Sequence, residues 1–543
     1  MQQTKVGRIQ GMKIQEIDRA SLTIEQKLGL LICTDLTYRR GDAALAEEMI
    51  REHRLGAIWV QPYRDEECEA IRARLVAAAD YPLLVMCDAE LGYGDYRIPD
   101  VNAFSAAEDG ERAAFSFGRR SAASLRREGY NVICNPILDL AKNARLPCGG
   151  NTRSFGADRD VIARLAGAMA RGMHEGGSLV VAKHYPFARS EYDTHMREGL
   201  SSATREEITE IAMDVFRRLN GEGLIDGIMT GHIKFPNVDP DNPTSLSAPM
   251  IALARELGFR GFATTDALNM MGILAKHGRR EPCALAIRAG NDLPLNMGLS
   301  LKDSYEGLLE AYRRGDVTDE MVERALDRVL AAQHKAAMLP RAPELYPEDL
   351  AAIEALHGAC ISAVCAEGVS PTISREGRHL FTIVTNERAD EKSAEYTPGP
   401  RDWFFPRRIA RRLSELFPNS KTVFIPVNPE GVDNAPYLHE QRGFDDVVFI
   451  TNYQTTAYTG KEHLTIRIVE LMDALQATER IAAHLHFGNP FVATDAPHIP
   501  RVLLGYSSEA CVNFALEILA GNERAVGKCP YTLTFRRAEE IFS

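Results

Sequence analysis

The segment VVAKHYPFARSEYDTH passes from an apolar, β-branched stretch into polar residues, and it carries Lys183, His184, Asp193 and His195. A second apolar run, GFATTDALNMM, delivers Asp266 at its end. A carboxylate fixed at a strand end can attack or stabilise a cationic carbon. A histidine on a neighbouring loop can carry a proton to and from the departing group. Asp193 stands two residues before His195. A carboxylate bonded to one ring nitrogen sets the tautomer, raises basicity and aims the other nitrogen at the leaving oxygen. An imidazole, with an unperturbed pKa of about 6.5, can serve as acid and then as base near neutral pH.

Each of these residues also has a plainer reading. Asp266 precedes a helix-like stretch and could be an N-cap. His195 could be an ordinary loop histidine. Lys183 and His184 could close their strand by pairing with a neighbour, and Asp88 in CDAE and Arg153 in TRSFG could form structural ion pairs. His232 fits a structural place at a barrel mouth as well as a functional one.

The elements that would position these groups alternate regularly. Eight apolar runs read as strands: 30–35, 56–61, 82–88, 130–137, 178–185, 225–233, 259–266 and the shorter 291–295. Amphipathic stretches such as VIARLAGAMARGMHE lie between them. Near-continuous apolar strands alternating with helices indicate a parallel sheet covered on both faces, and eight such units fit a (β/α)₈ barrel over 1–337. Asp35, Asp88, Lys183, His184, His232 and Asp266 all fall at or just past the C-terminal ends of these runs, the face on which such barrels do their chemistry. The proline-rich stretch LPRAPELYPED reads as a linker over 338–350. Beyond it, a helix near 349–366 and five runs (HLFTIVT, KTVFIPV, DDVVFITN, RIAAHLHFG, RVLLGYS) suggest a smaller doubly wound α/β sandwich domain over 351–543. No G-x-G-x-x-G follows its first strand, which argues against a dinucleotide cofactor.

A chain of 543 residues exceeds what one core usually organises. A net charge of -12 argues against a general nucleic-acid binder. No run approaches the roughly 18 apolar residues of a membrane span, and the start reads as no signal peptide. The ten cysteines are scattered without a C-x-x-C, as buried reduced thiols are, so a cytoplasmic protein is expected. A metal-dependent barrel hydrolase would want H-x-H on an early strand, and LLICTD has no histidine. No metal and no cofactor are expected; oligomeric state is not legible.

KHYP, DTH and TTDALNM, in this order, resemble glycoside hydrolase family 3, specifically its β-N-acetylglucosaminidase branch. CDAE, TRSFG, MTGHIKFPNVDPDNPTSLS, AGNDLPL, GNPF and GKCPYTL extend the likeness along the chain. The resemblance implies that Asp266 is the nucleophile of a retaining mechanism and that Asp193 and His195 form the acid/base dyad. It also implies that Asp88, Arg153, Lys183 and His184 bind the terminal sugar, with a small saccharide as substrate. The family's P-G-H-G turn is replaced by Pro186-Phe187-Ala188-Arg189, and the gap to the dyad is one residue shorter. Loss of both glycines should stiffen a loop that carries His195, and the Phe187-Ala188-Arg189 segment could narrow the pocket or add a charge. Another family 3 activity, a β-glucosidase or a phosphorolytic enzyme, and a non-catalytic sugar-binding protein are the competing readings.

Overall fold

A computed structural model describes residues 17–141, 152–187, 190, 192–385, 403–453 and 463–536. The chain forms two compact units. The first comprises Met1–Glu90, Gly118–Asp139 and Met169–Tyr346; the second comprises Leu91–Phe117, Leu140–Ala168 and Pro347–Ser543. The units therefore interleave along the chain, whereas the expected 1–337, 338–350 and 351–543 follow chain order.

In the first unit the strands are β1 (Cys33–Asp35), β2 (Ala57–Trp59), β3 (Leu84–Cys87), β4 (Val132–Ile133), β5 (Leu179–Tyr185), β6 (Gly199–Leu200), β7 (Gly227–Thr230), β8 (Ile233–Lys234) and β9 (Phe262–Thr265). Seven of them form one parallel sheet in the order β1-β2-β3-β4-β5-β7-β9. The eighth run closes it. Leu293 bridges Thr264 and Leu295 bridges Cys33, both in parallel. Pro294 has no N–H to give a ladder, so this edge is a pair of bridges and not a longer strand. Its carbonyl still accepts the N–H of Cys33 at 3.0 Å, and Asn296 donates to the carbonyl of Cys33 at 3.0 Å. The result is an α/β barrel of the TIM type. Strand residues are buried almost throughout, as expected where helices cover a parallel sheet.

The helices start where side chains can satisfy unpaired N–H groups. Thr23 and Gln26 make a reciprocal capping box, and Ser247, Ser300 and Thr318 accept from Met250, Asp303 and Met321. Gly290 ends Pro282–Ala289 at φ 103°, where only glycine sits without strain. β6 and β8 pair in parallel, outside the barrel sheet, and tie the chain just after His195 to the chain just after His232.

The second unit carries a six-stranded sheet. Its strands are β10 (Ser362–Cys365), β11 (His379–Val384), β12 (Lys421–Ile425), β13 (Asp446–Tyr453), β14 (Ile481–Gly488) and β15 (Arg501–Gly505). The order is β10-β15-β14-β13-β11-β12, parallel except that β10 runs antiparallel to β15. The parallel strands thus have the doubly wound order 2-1-3-4-5. All five expected runs are present, and β10 is the addition. The helix expected near 349–366 ends at Ala359, and Ser362–Cys365 pairs with Leu504–Arg501 instead. Pairing to a neighbouring strand overrides the local helical pattern there, as tertiary context commonly does.

Candidate active site

Asp266 follows β9 directly, and its N–H continues the ladder to the carbonyl of Thr230 at 2.9 Å. Its side chain is partly accessible at 22%. Burial pushes the carboxyl upward, but the rings of His184, His232 and His195 and the N–H of Ala267 outweigh it and hold Asp266 down at about 2. That N–H donates to Oδ1 at 2.8 Å. The N-cap reading is not what the backbone shows, since the next helix, Met271–Leu274, begins several residues later. A carboxylate that is ionised, partly accessible and faced by imidazoles is equipped as a nucleophile or as a stabiliser of positive charge.

His195 and Asp193 form a hydrogen-bonded pair. The ring Nδ1 lies 2.9 Å from Asp193 Oδ1, which also accepts the backbone N–H of His195 at 3.0 Å. Asp193 is buried, while His195 is 22% exposed in its side chain. A carboxylate oxygen accepts, so Nδ1 carries the hydrogen and Nε2 is the nitrogen that exchanges protons. The turn is closed by Met196 and Arg197, whose N–H groups donate to the carbonyl of Asp193 at 3.1 and 3.2 Å. Arg197 also lies over the ring of Tyr192, 3.9 Å from its centre. Further along, Glu198 bridges Lys234 at 3.0 Å and Lys276 at 2.7 Å, which pins the segment to the barrel.

Lys183 is buried on β5, and its ammonium pairs with Asp88 and with Glu90, the latter at 2.6 Å. A buried cation with two carboxylates is satisfied where a single partner would leave it short. His184 follows on the same strand, its side chain 15% exposed, with Nε2 4.0 Å from Asp266 Oδ2. The Lys183–His184 peptide bond is cis. Sequence reasoning missed Glu90 and Asp139. Both had a signal: Glu90 lies two residues past Asp88, and Asp139 lies just past the fourth strand-like run.

His232 has a supporting place. Its Nε2 lies 2.9 Å from the carbonyl of Ala267, so that nitrogen carries the hydrogen, and Nδ1 accepts from Ser245 at 2.8 Å. Burial lowers its pKa against the pull of Asp266, and the ring holds the peptide that follows the carboxylate. Asp35 is likewise used locally, accepting the N–H groups of Thr37, Tyr38 and Gly298. Arg153 belongs to the second unit. Its turn is anchored there by the N–H groups of Val101 and Asn102 on the carbonyl of Thr152 at 2.9 and 3.3 Å, and by Ser105 on the carbonyl of Phe155.

Of the altered turn, Phe187 is described. Its ring is fully buried beside Tyr185 and stacked on Phe216 at 5.5 Å, packed among aromatic rings. Ala188 and Arg189 lie outside the described residues. Phe187 holds φ at 66°, the left-handed region that favours glycine. Such a conformation costs about 1–3 kcal/mol, and truncating a buried Phe costs roughly 3–5 kcal/mol. Phe187→Gly is therefore expected to lower the thermal unfolding midpoint, because the lost packing exceeds the relieved strain. Phe187→Leu should lower it less; a midpoint raised by the glycine variant would show that strain dominates.

Comparison with known proteins agrees with this barrel. Residues 23–332 match the family described as "Glycosyl hydrolase family 3 N terminal domain". A Pseudomonas aeruginosa (strain LESB58) protein named beta-hexosaminidase is 32% identical over 264 residues, 47% of this chain and 75% of that one. A Cellulomonas fimi beta-N-acetylglucosaminidase/beta-glucosidase is 25% identical over 343 residues, 59% of this chain and 60% of that one. Among solved structures, a glycoside hydrolase family 3 beta-N-acetylglucosaminidase from Paenibacillus sp. str. FPU-7 superposes with a TM-score of 0.76. It is 24% identical, over 95% of this chain and 99% of that one. The protein is a glycoside hydrolase of α/β-barrel type. The chain belongs to glycosyl hydrolase family 3.

Proposed function

We propose that the protein is an exo-acting, retaining β-N-acetylglucosaminidase that removes terminal N-acetylglucosamine from small saccharides or cell-wall fragments. The observation that carries this reading is the hydrogen-bonded Asp193–His195 pair, whose ring is among those that hold the Asp266 carboxyl low. The names of the relatives above support the substrate class. In the first step Asp266 attacks the anomeric carbon as the glycosidic C–O bond breaks, and His195 gives its Nε2 proton to the leaving oxygen. In the second step His195 takes a proton from water, whose oxygen displaces Asp266 and releases the sugar. Lys183, His184 and Asp88 are the proposed partners of the sugar hydroxyls, where charge-assisted hydrogen bonds are strong. A cytoplasmic location accords with the free thiols of the described cysteines, and no described helix is long and apolar enough to cross a membrane.

The test is a screen of aryl β-glycosides against purified protein, with and without phosphate. A site that pairs with the 2-acetamido group leaves polar atoms unmatched when glucose binds. The N-acetylglucosaminide is therefore expected to be preferred by at least about tenfold in kcat/KM. Equal cleavage of a β-glucoside or a uronide would refute the substrate, and a requirement for phosphate would replace hydrolysis by phosphorolysis.

A further inference from the structure

The barrel mouth holds a second carboxylate–imidazole pair. Asp139 is buried, and its Oδ2 lies 2.8 Å from His184 Nδ1 while its Oδ1 accepts the backbone N–H of His184 at 3.1 Å. Backbone register brings the two together. Lys183 donates to the carbonyl of Pro136 at 3.1 Å and Leu138 donates to the carbonyl of Lys183 at 2.8 Å, so Asp139 is carried alongside His184. A carboxylate accepts only, so Nδ1 holds the hydrogen and Nε2 becomes the nitrogen turned towards Asp266, 4.0 Å away.

We propose that Asp139 is a positioning residue for the glycosidase reaction, fixing the ring orientation and tautomer of His184 so that Nε2 faces Asp266. This rests on the proposed glycosidase reading. Two contacts from one buried carboxylate, one to the ring and one to its own backbone, leave the imidazole little freedom to turn. The arrangement also serves Asp266: with Nδ1 already holding a hydrogen, a second proton can enter only at Nε2, and the positive ring opposes burial more than His232 or His195 does in keeping that carboxyl low. Among the described residues, the charged and titratable groups near the ring include Asp139, Asp266, His195 and His232; Lys183, one residue back along the strand, pairs with Asp88 and Glu90. Removing the anion behind the ring weakens its hold on Asp266, whose pKa then rises from about 2. A protonated nucleophile becomes commoner as the solution is acidified.

The experiment pairs kinetics with the ring itself. Asp139→Asn is expected to reduce kcat/KM by about tenfold to a hundredfold near pH 7, the usual cost of losing such a supporting partner. The deficit should widen as pH falls towards about 4, and Asp139→Glu should recover part of it. A deficit that stays constant with pH overturns the proposal, because a purely structural defect behaves that way. Wild-type protein labelled with ¹⁵N-histidine supplies a test that needs neither a variant that folds nor turnover. His184 should show its hydrogen on Nδ1, and a bare Nδ1 overturns the proposal even if the enzyme is active. Failure to cleave any β-glycoside would refute the proposed activity, while the ring spectrum would still decide the role of Asp139.

Discussion

Replacing Asp266 with asparagine is expected to reduce turnover by on the order of 10⁴-fold or more, the scale of loss when a covalent nucleophile is deleted. The fold should survive. The residue is partly accessible, and an amide oxygen can still accept the N–H of Ala267 that Oδ1 accepts now. In the wild-type protein, a substrate with a good leaving group and a slow second step should leave a glycosyl group on the peptide containing Asp266, read as a mass increase. Labelling on another carboxylate would overturn the assignment. The pH behaviour follows from the same charges. Asp266 is held at about 2, below the ordinary carboxylate value of 3.8, so its stabilising contribution is full above that ordinary value. It is lost as pH falls through about 2. Any fall in kcat/KM between neutral pH and pH 4 must then come from another group, and a plateau there in the wild type is the expected profile.

Much of the barrel was legible because its strands are buried on both faces and therefore read as unbroken apolar runs. The end of each run then says where polar residues must emerge, which singled out Asp88, Lys183, His184 and Asp266 together. What the runs do not reveal is register. Asp139 stands well past the last ladder residue of β4, and only the bridge between Ile137 and Lys183 sets it against His184. Glu90 is hidden for a related reason, since its partner is a lysine on a strand two places away in the sheet. His232 shows the opposite case. Its position suggests chemistry, yet both ring nitrogens are occupied by Ser245 and the carbonyl of Ala267.

The direction of the Phe187 ring is not legible on local grounds. A bulky residue at this turn could narrow a pocket, but the backbone turns left-handed and delivers the ring into the aromatic cluster with Tyr185 and Phe216. Side-chain direction at such a φ cannot be inferred from residue type. β10 was missed because Ala359, Cys360 and Ile361 continue a helical pattern that only the antiparallel partner β15 interrupts. In both cases long-range packing decided against the local signal.

The sharpest test of the proposed chemistry lies in how His195 variants respond to the leaving group. His195→Ala is expected to slow cleavage of substrates with poor leaving groups by roughly 10²–10⁴-fold, the usual worth of a positioned general acid. Aryl substrates with acidic phenols depart with little proton assistance, so their first step should be almost spared. For those substrates the second step, in which water must lose a proton, becomes limiting, and a burst of phenol should precede a slow steady rate. Asp193→Asn should give a weaker version of the pattern. The amide cannot favour the positive ring as a carboxylate does, but its oxygen can still accept from Nδ1, so the ring stays near its place. The pair therefore predicts an ordered series from wild type through Asp193→Asn to His195→Ala, with the spread growing as the leaving group worsens. A loss of the same size for every leaving group would mean that His195 only binds the sugar, and the proton would have to come from elsewhere.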